Sequence, residues 1–323
     1  MITLDRIKIV APMECVTILK EDAFDVKTKN NAVISMSYTQ TSPYKLYVEV
    51  DCKEKEAIIE FTGKILLDDY PKLINIDNIS ECFNNINRLG LCRLDIAMIL
   101  GCGMICSIDV TKDIEYQDVA GMSEWVRTNI NNHRKYLVRD IKGNLVIEKN
   151  VKTRRCKRRL TIYDKGKELG LAENRDFLDS LSDADALLEY FKNKVRFEIN
   201  LNSKQAIRDT LNIEDTSVSN VLSSGKNPIY DFLNDVTDES EYSCRCRSLK
   251  ERKDLAFLKE CGMDIKTVEY EIRKYASKKT HISQAIRPYR ALLSRLKNNE
   301  NGFKSTLLGL LLETTIIFPL LFV

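Results

Sequence analysis

The sequence predicts an α+β fold: a mainly antiparallel sheet with helices packed on one face, followed by a smaller all-helical C-terminal region. Three observations predict it. Apolar and polar residues alternate with period two through the first sixty or so positions, and again near 158–165 and 194–201. Short turn signals separate many of these runs, which suits hairpins better than parallel crossovers. After Ser203 the strand pattern stops and apolar residues recur at helical intervals. With 323 residues, 44% of them hydrophobic, the chain is long enough for two domains and a real core. The expected boundaries are 1–212 for an α+β unit, 213–302 for a helical region and 303–323 for an apolar tail.

In chain order, residues 16–19, 33–38, 45–50 and 57–61 read as strands of a meander, with Asn30-Asn31 and Ser42-Pro43 as turns. Asp77 to Ser80 supplies N-caps for a helix with Cys82, Phe83, Ile86 and Leu89 on one face, and Gly90 ends it. Residues 91–98 alternate as a strand, Leu94, Ile96 and Met98 on one face and Arg93, Asp95 and Ala97 on the other. Aspartate is depleted in strands, so Asp95 calls for an explanation, and a salt bridge to Arg93 or another neighbour is the ordinary one. Residues 105–110 follow as a strand. Val119, Met122, Trp125, Val126 and Ile130 mark a helix within 116–131, and a hairpin turns at Lys142-Gly143-Asn144.

A basic loop, 149–159, then carries Arg154, Arg155, Lys157, Arg158 and Arg159 as candidate DNA contacts. It feeds a strand in which Arg159, Thr161, Tyr163 and Lys165 share one face, opposite Leu160 and Ile162. A further strand, 194–201, points Val195, Phe197, Ile199 and Leu201 inward and Arg196, Glu198 and Asn200 outward. Ser203 caps a helix to Leu211. Around Gly262, two helices carry apolar stripes, and the second bears Lys266, Arg273 and Lys274. This fits a helix-turn-helix reading DNA, and it fits an αα-hairpin with a solvated basic face at least as well. The apolar tail is just long enough to span a bilayer, but Glu313 near its centre would cost roughly 2.5 kcal/mol or more, which argues against a membrane role.

Composition narrows the chemistry. A net charge of +3 is close to neutral, so a nucleic-acid role rests on where the charge lies: bases dominate 149–167 and 245–297, acids 176–241. No signal-peptide pattern opens the chain, so a cytoplasmic location and reduced thiols are expected for its ten cysteines. Cys102 with Cys106, or Cys244 with Cys246, lacks a second Cys/His pair at zinc-finger spacing. His133 and His281 are the only histidines, which disfavours a His-rich metal centre or a Ser/His/Asp triad. A metal would be held mainly by carboxylates.

A tyrosine on a half-buried strand is ordinarily a packing residue. Three polar strand faces change the weighing, because Arg93 with Asp95, Tyr163 with Lys165, and Arg196 with Glu198 would meet in one groove if the strands were neighbours. Two acids there could hold Mg²⁺ or Mn²⁺, the cations could grip a phosphate, and the tyrosine could attack it. The blocks Arg93-Leu94-Asp95-Ile96-Ala97, Leu160-Thr161-Ile162-Tyr163-Asp164-Lys165-Gly166-Lys167-Glu168-Leu169 and Val195-Arg196-Phe197-Glu198-Ile199 resemble replication proteins of the filamentous-phage gene II/X group. More loosely, they are similar to plasmid rolling-circle initiators of the replication-initiation-factor type.

The resemblance implies a metal-dependent nicking and joining enzyme acting on origin DNA, single-stranded or hairpin, that leaves a 5′-phosphotyrosine link and a 3′ hydroxyl for a host polymerase; whether a host helicase joins it is left open by the sequence. By match to those blocks it implies Tyr163 as nucleophile and Asp95 and Glu198 as metal ligands, with Glu168 as a third acid. Lys165 and Arg196 become phosphate contacts. The sequence departs from many rolling-circle initiators in lacking two histidines flanking a hydrophobic residue, and the motif holds no second tyrosine. A non-catalytic origin-binding regulator and a relaxase-like nickase are the alternatives.

Overall fold

The computed structural model describes residues 2–130, 135–151, 158–237, 246, 248–275, 279–297 and 303–312. Its strands are β1 (Leu4–Pro12), β2 (Val16–Ile18), β3 (Asp25–Lys29), β4 (Ala32–Gln40), β5 (Leu46–Asp51), β6 (Glu56–Thr62), β7 (Cys92–Leu94), β8 (Met104–Glu115), β9 (Tyr136–Ile141), β10 (Asn144–Lys149), β11 (Arg158–Asp164) and β12 (Lys194–Leu201). One 10-stranded sheet runs β3-β4-β5-β6-β1-β8-β12-β11-β10-β9, and β2 with β7 makes a separate ribbon. Each half of the large sheet follows the same scheme. A strand is followed by a meander whose last member returns beside it: β1 with β3 to β6, and β8 with β9 to β12, with β1 and β8 antiparallel at the centre.

The helices are α1 (Ile79–Arg88), α2 (Ile96–Cys102), α3 (Val119–Thr128), α4 (Lys165–Leu169), α5 (Arg175–Asp179), α6 (Ala184–Phe191), α7 (Lys204–Leu211), α8 (Val218–Leu222), α9 (Pro228–Val236), α10 (Leu249–Glu260), α11 (Ile265–Tyr275), α12 (Lys279–Lys297) and α13 (Phe303–Leu312). Strand alternation decides where most of them sit. Val195, Phe197, Ile199 and Leu201 of β12 and Leu160 and Ile162 of β11 turn to one face, where they share a single buried cluster with residues of α1, α2, α3, α7, α8, α9 and α13. The fold is thus α+β, with an antiparallel sheet covered mainly on one face. Residues 213–236 belong to this same core, since Val218, Val221, Ile229 and Val236 pack into it.

Two smaller clusters stand apart. Tyr70, Leu73, Leu169, Phe177, Leu187 and Phe191 join the 3-10 segment Gly63–Lys72 to α4, α5 and α6. The Tyr70 and Phe191 rings lie against the Arg196 guanidinium, so this cluster caps one end of the sheet's polar face. Leu255, Leu258, Cys261, Val268 and Leu292 hold α10, α11 and α12 together, and Gly262 between the first two adopts φ 64°, the left-handed turn that glycine allows.

Two expectations fail at strand ends for the same reason. The strand expected over 91–98 stops at Leu94, because the Asp95 side chain accepts the Met98 N–H at 2.9 Å and caps α2. Likewise β11 stops at Asp164, whose side chain accepts the Lys167 N–H at 2.9 Å and caps α4. An N-cap oxygen satisfies an otherwise orphaned helix donor, so in both places aspartate turned the chain from strand to helix. Among the described residues no helix is long and apolar enough to cross a membrane. In α13, Leu307 and Leu311 are buried in the main core, and the Leu311 carbonyl accepts from Lys112 Nζ at 2.6 Å and Asn227 Nδ2 at 2.8 Å.

Candidate active site

Register assembles the site on the polar face. Tyr163 on β11 lies opposite Arg196 on β12, which lies opposite Asp113 on β8; one row along come Thr161, Glu198 and Thr111. In β1 the pairing with β8 shifts between Leu4 and Arg6. The consecutive side chains Asp5 and Arg6 therefore both reach this face, Asp5 to Arg196 and Arg6 to Asp109.

Arg196 is the buried centre, with 0 % exposure. Its Nε and Nη2 each donate to Asp113 at 2.7 Å, and its Nη1 donates to Asp5 Oδ1 at 3.0 Å and to the Tyr70 hydroxyl at 2.7 Å. The Tyr70 hydroxyl in turn donates to Asp5 at 2.9 Å. Burial works to raise the Asp5 carboxyl, but Arg196 and then Lys165 outweigh it and hold it below its ordinary value.

Lys165 is 2 % exposed, pairs with Glu168, and stands 5.2 Å from the Tyr70 ring centre and 5.9 Å from that of Tyr163. Burial, and then Arg196, depress its pKa. The Tyr163 hydroxyl donates to Glu198 Oε2 at 3.3 Å. Burial raises that phenol well above its ordinary value, with Arg196 opposing and Glu198 adding to the rise. Burial, then Asp109 and Asp5, push the Glu198 carboxyl up to about 7. The site is therefore layered: Tyr163 and Glu198 are partly exposed, while Arg196 and Lys165 lie beneath them.

Two consequences can be measured. A carboxyl that holds its proton more tightly folded than unfolded favours folding below its unfolded value of 4.5, and this contribution is lost as pH rises through about 7. Glu198→Gln should flatten the pH dependence of the urea midpoint across that window, and a slope equal to the parent's would contradict the environment described. At Gly166 in α4, a Cβ would stand 2.7 Å from the Phe191 carbonyl oxygen and 3.2 Å from Lys192 Cα. Gly166→Ala should push α4 off the end of α6, displace Lys165 and cost about 1–3 kcal/mol in thermal or urea unfolding. A parent-like stability would mean the backbones are not so closely apposed.

The remaining expected residues scatter. Asp95 follows β7 of the small ribbon as the cap of α2, and its backbone N–H bonds the Cys15 carbonyl at 2.8 Å. Cys15 lies beyond Pro12, the far end of β1 from Asp5, and β1 spans about 23 Å between Asp5 and Pro12. Asp95 therefore does not join Glu198, and Glu168 is engaged by Lys165. Among the described residues no group of three or more His, Cys, Asp or Glu side chains is placed to hold a metal ion. The set Asp95, Glu168 and Glu198 does not fit a shared Mg²⁺ or Mn²⁺.

Arg158 and Arg159 face opposite sides of β11. Arg158 lines a cleft of about 560 Å³ with Asp209, Asn212, Lys226 and Asp231 on the helix-covered side, whereas Arg159 is exposed on the face of Tyr163. Arg154, Arg155 and Lys157 lie outside the described residues. On α11, Arg273 pairs with Glu269 at 2.6 Å and Lys274 with Glu271 at 2.7 Å, so two of its cations are countered on their own helix; Lys266 lies in the first turn. Sequence reasoning missed Asp5, Tyr70, Asp109 and Asp113. For Asp5 and Asp109 the signal was an aspartate within a strand-like run, the same anomaly noticed at Asp95, whereas Asp113 and Tyr70 lie outside the runs that read as strands.

The polar face of the antiparallel sheet thus presents a tyrosine hydroxyl to a carboxylate, over two buried cations. Residues 79–220 match the family model for the N-terminal part of the replication-associated gene II protein, which is the filamentous-phage type. The match takes in Tyr163, Lys165, Glu168, Arg196 and Glu198, and leaves outside it Asp5 and Tyr70, which complete the Arg196 cage. No curated protein and no solved structure matches the chain.

Proposed function

We propose that the chain initiates rolling-circle replication by nicking one strand of origin DNA through Tyr163 and later rejoining the ends. The observation that carries this reading is the Tyr163 hydroxyl directed at Glu198 Oε2, 3.3 Å away, on the open face of a domain matched to replication proteins. The Tyr163 oxygen attacks phosphorus while its proton passes to Glu198. The bond from phosphorus to the 3′ oxygen breaks, that oxygen takes up a proton, and the 5′ phosphate stays on the tyrosine. Attack by a 3′ hydroxyl on the phosphotyrosine reverses the sequence and reseals the strand. The free 3′ hydroxyl is a primer for a host polymerase.

Lys165 and Arg196 are buried, so in this reading they act as fixed positive charge beneath the tyrosine rather than as fingers on the phosphate. No step is routed through Mg²⁺ or Mn²⁺, since Asp95 stands apart from Glu198 and Glu168 is paired with Lys165. The test is to incubate the chain with supercoiled circular DNA of the replicon that encodes it, with each ion in turn, and look for open circles with protein-linked 5′ ends. Specific binding without cleavage under either ion would favour a non-catalytic origin regulator.

A further inference from the structure

The open face holds several cations, and nearly all of them are already used. Arg6 serves Glu60 and Asp109, Lys8 serves Glu60, Lys194 serves Glu115, and Arg196 serves Asp5 and Asp113. Among the described residues, Arg159 is the cation on this face of β1, β8, β11 and β12 with no counter-charge. Its cross-strand neighbour Glu148 reaches Arg139 instead, at 4.0 Å. Opposite Arg159 on the other side is the neutral Asn200, whose amide is turned to Asp109.

An exposed guanidinium is a rigid fork of donors matched to a phosphate. Arg159 shares its strand face with Tyr163, four residues and about 13 Å away. That is about two internucleotide steps of an extended single strand, and only Thr161 stands between them on that face of β11.

We infer that Arg159 binds a single backbone phosphate of single-stranded DNA, about two nucleotides from the phosphate that Tyr163 attacks, and so sets which phosphate reaches the tyrosine. The offset rests on the reading of Tyr163 as nucleophile, whereas the contact itself does not.

The test uses the full chain carrying Tyr163→Phe, to prevent turnover, with and without Arg159→Ala. Its probes are origin oligonucleotides in which one phosphate at a time is replaced by an uncharged methylphosphonate. One neutralised phosphate should weaken binding about tenfold, Arg159→Ala should weaken it by a similar factor, and combining the two should cost no more than either alone. Independent, multiplicative losses at every phosphate would overturn the contact. A coupled phosphate adjacent to the nick, or many steps from it, would overturn the offset. Binding is read without cleavage, so a chain that never nicks would count against the proposed function while the contact still stood or fell on its own result.

Discussion

Tyr163→Phe should lower nicking by about 1000-fold or more and abolish the protein-linked 5′ end, with the fold intact. The substitution removes one oxygen and keeps the ring, so the contact with the Lys165 ammonium survives. Its structural cost is the single hydrogen bond to Glu198, about 1 kcal/mol. A role in packing alone would leave nicking near the parent level, because phenylalanine packs as tyrosine does. The two roles therefore separate in one comparison of rate against stability, and nicking that persists in the variant would remove Tyr163 as nucleophile.

Arg196→Ala should produce the largest loss of stability in the site, about 3–5 kcal/mol in urea or thermal unfolding. The guanidinium is fully buried, and its removal takes away the cation hydrogen-bonded to Asp5 and Asp113 and leaves the Tyr70 hydroxyl without its donor. Lysine cannot reproduce the paired bonds to Asp113 and should recover only part of the loss. If Arg196 were instead an exposed phosphate contact, alanine would weaken DNA binding and leave the unfolding midpoint nearly unchanged. The stability measurement thus decides whether Arg196 holds the site together or touches substrate.

Period-two alternation was enough to place β11 and β12 and to identify which of their residues face away from the core. It also put Tyr163 and Glu198 on polar strand faces, and the pairing of β11 with β12 sets them diagonally within hydrogen-bond reach. Alternation says nothing about which strands pair, and here the topology differs from the simplest arrangement. The strand beside β12 is β8, not the block containing Asp95, so the acids that meet Arg196 come from Asp113 and, by way of the central strand β1, from Asp5. Asp5 and Arg196 are 191 positions apart, and no local pattern connects them. Asp95 read as a polar strand residue and Asp164 fell inside a strand read through to Lys165, although both cap helices. In each case the helix begins at the next residue, so a capping reading of the same letters was available. Lys165 became a buried cation for that reason: the helix that starts at it turns the side chain inward, over the Tyr70 ring.

The most direct test of the central claim is to map the covalent link. After reaction with circular replicon DNA, nuclease and trypsin digestion should release the peptide spanning residues 160–165, which lies between Arg159 and the bond after Lys165, with a nucleotide on Tyr163. Mass spectrometry of that peptide should show the added 5′ phosphate on the tyrosine oxygen. A nucleotide on any other residue, or nicked circles with no peptide-linked nucleotide, would contradict the account.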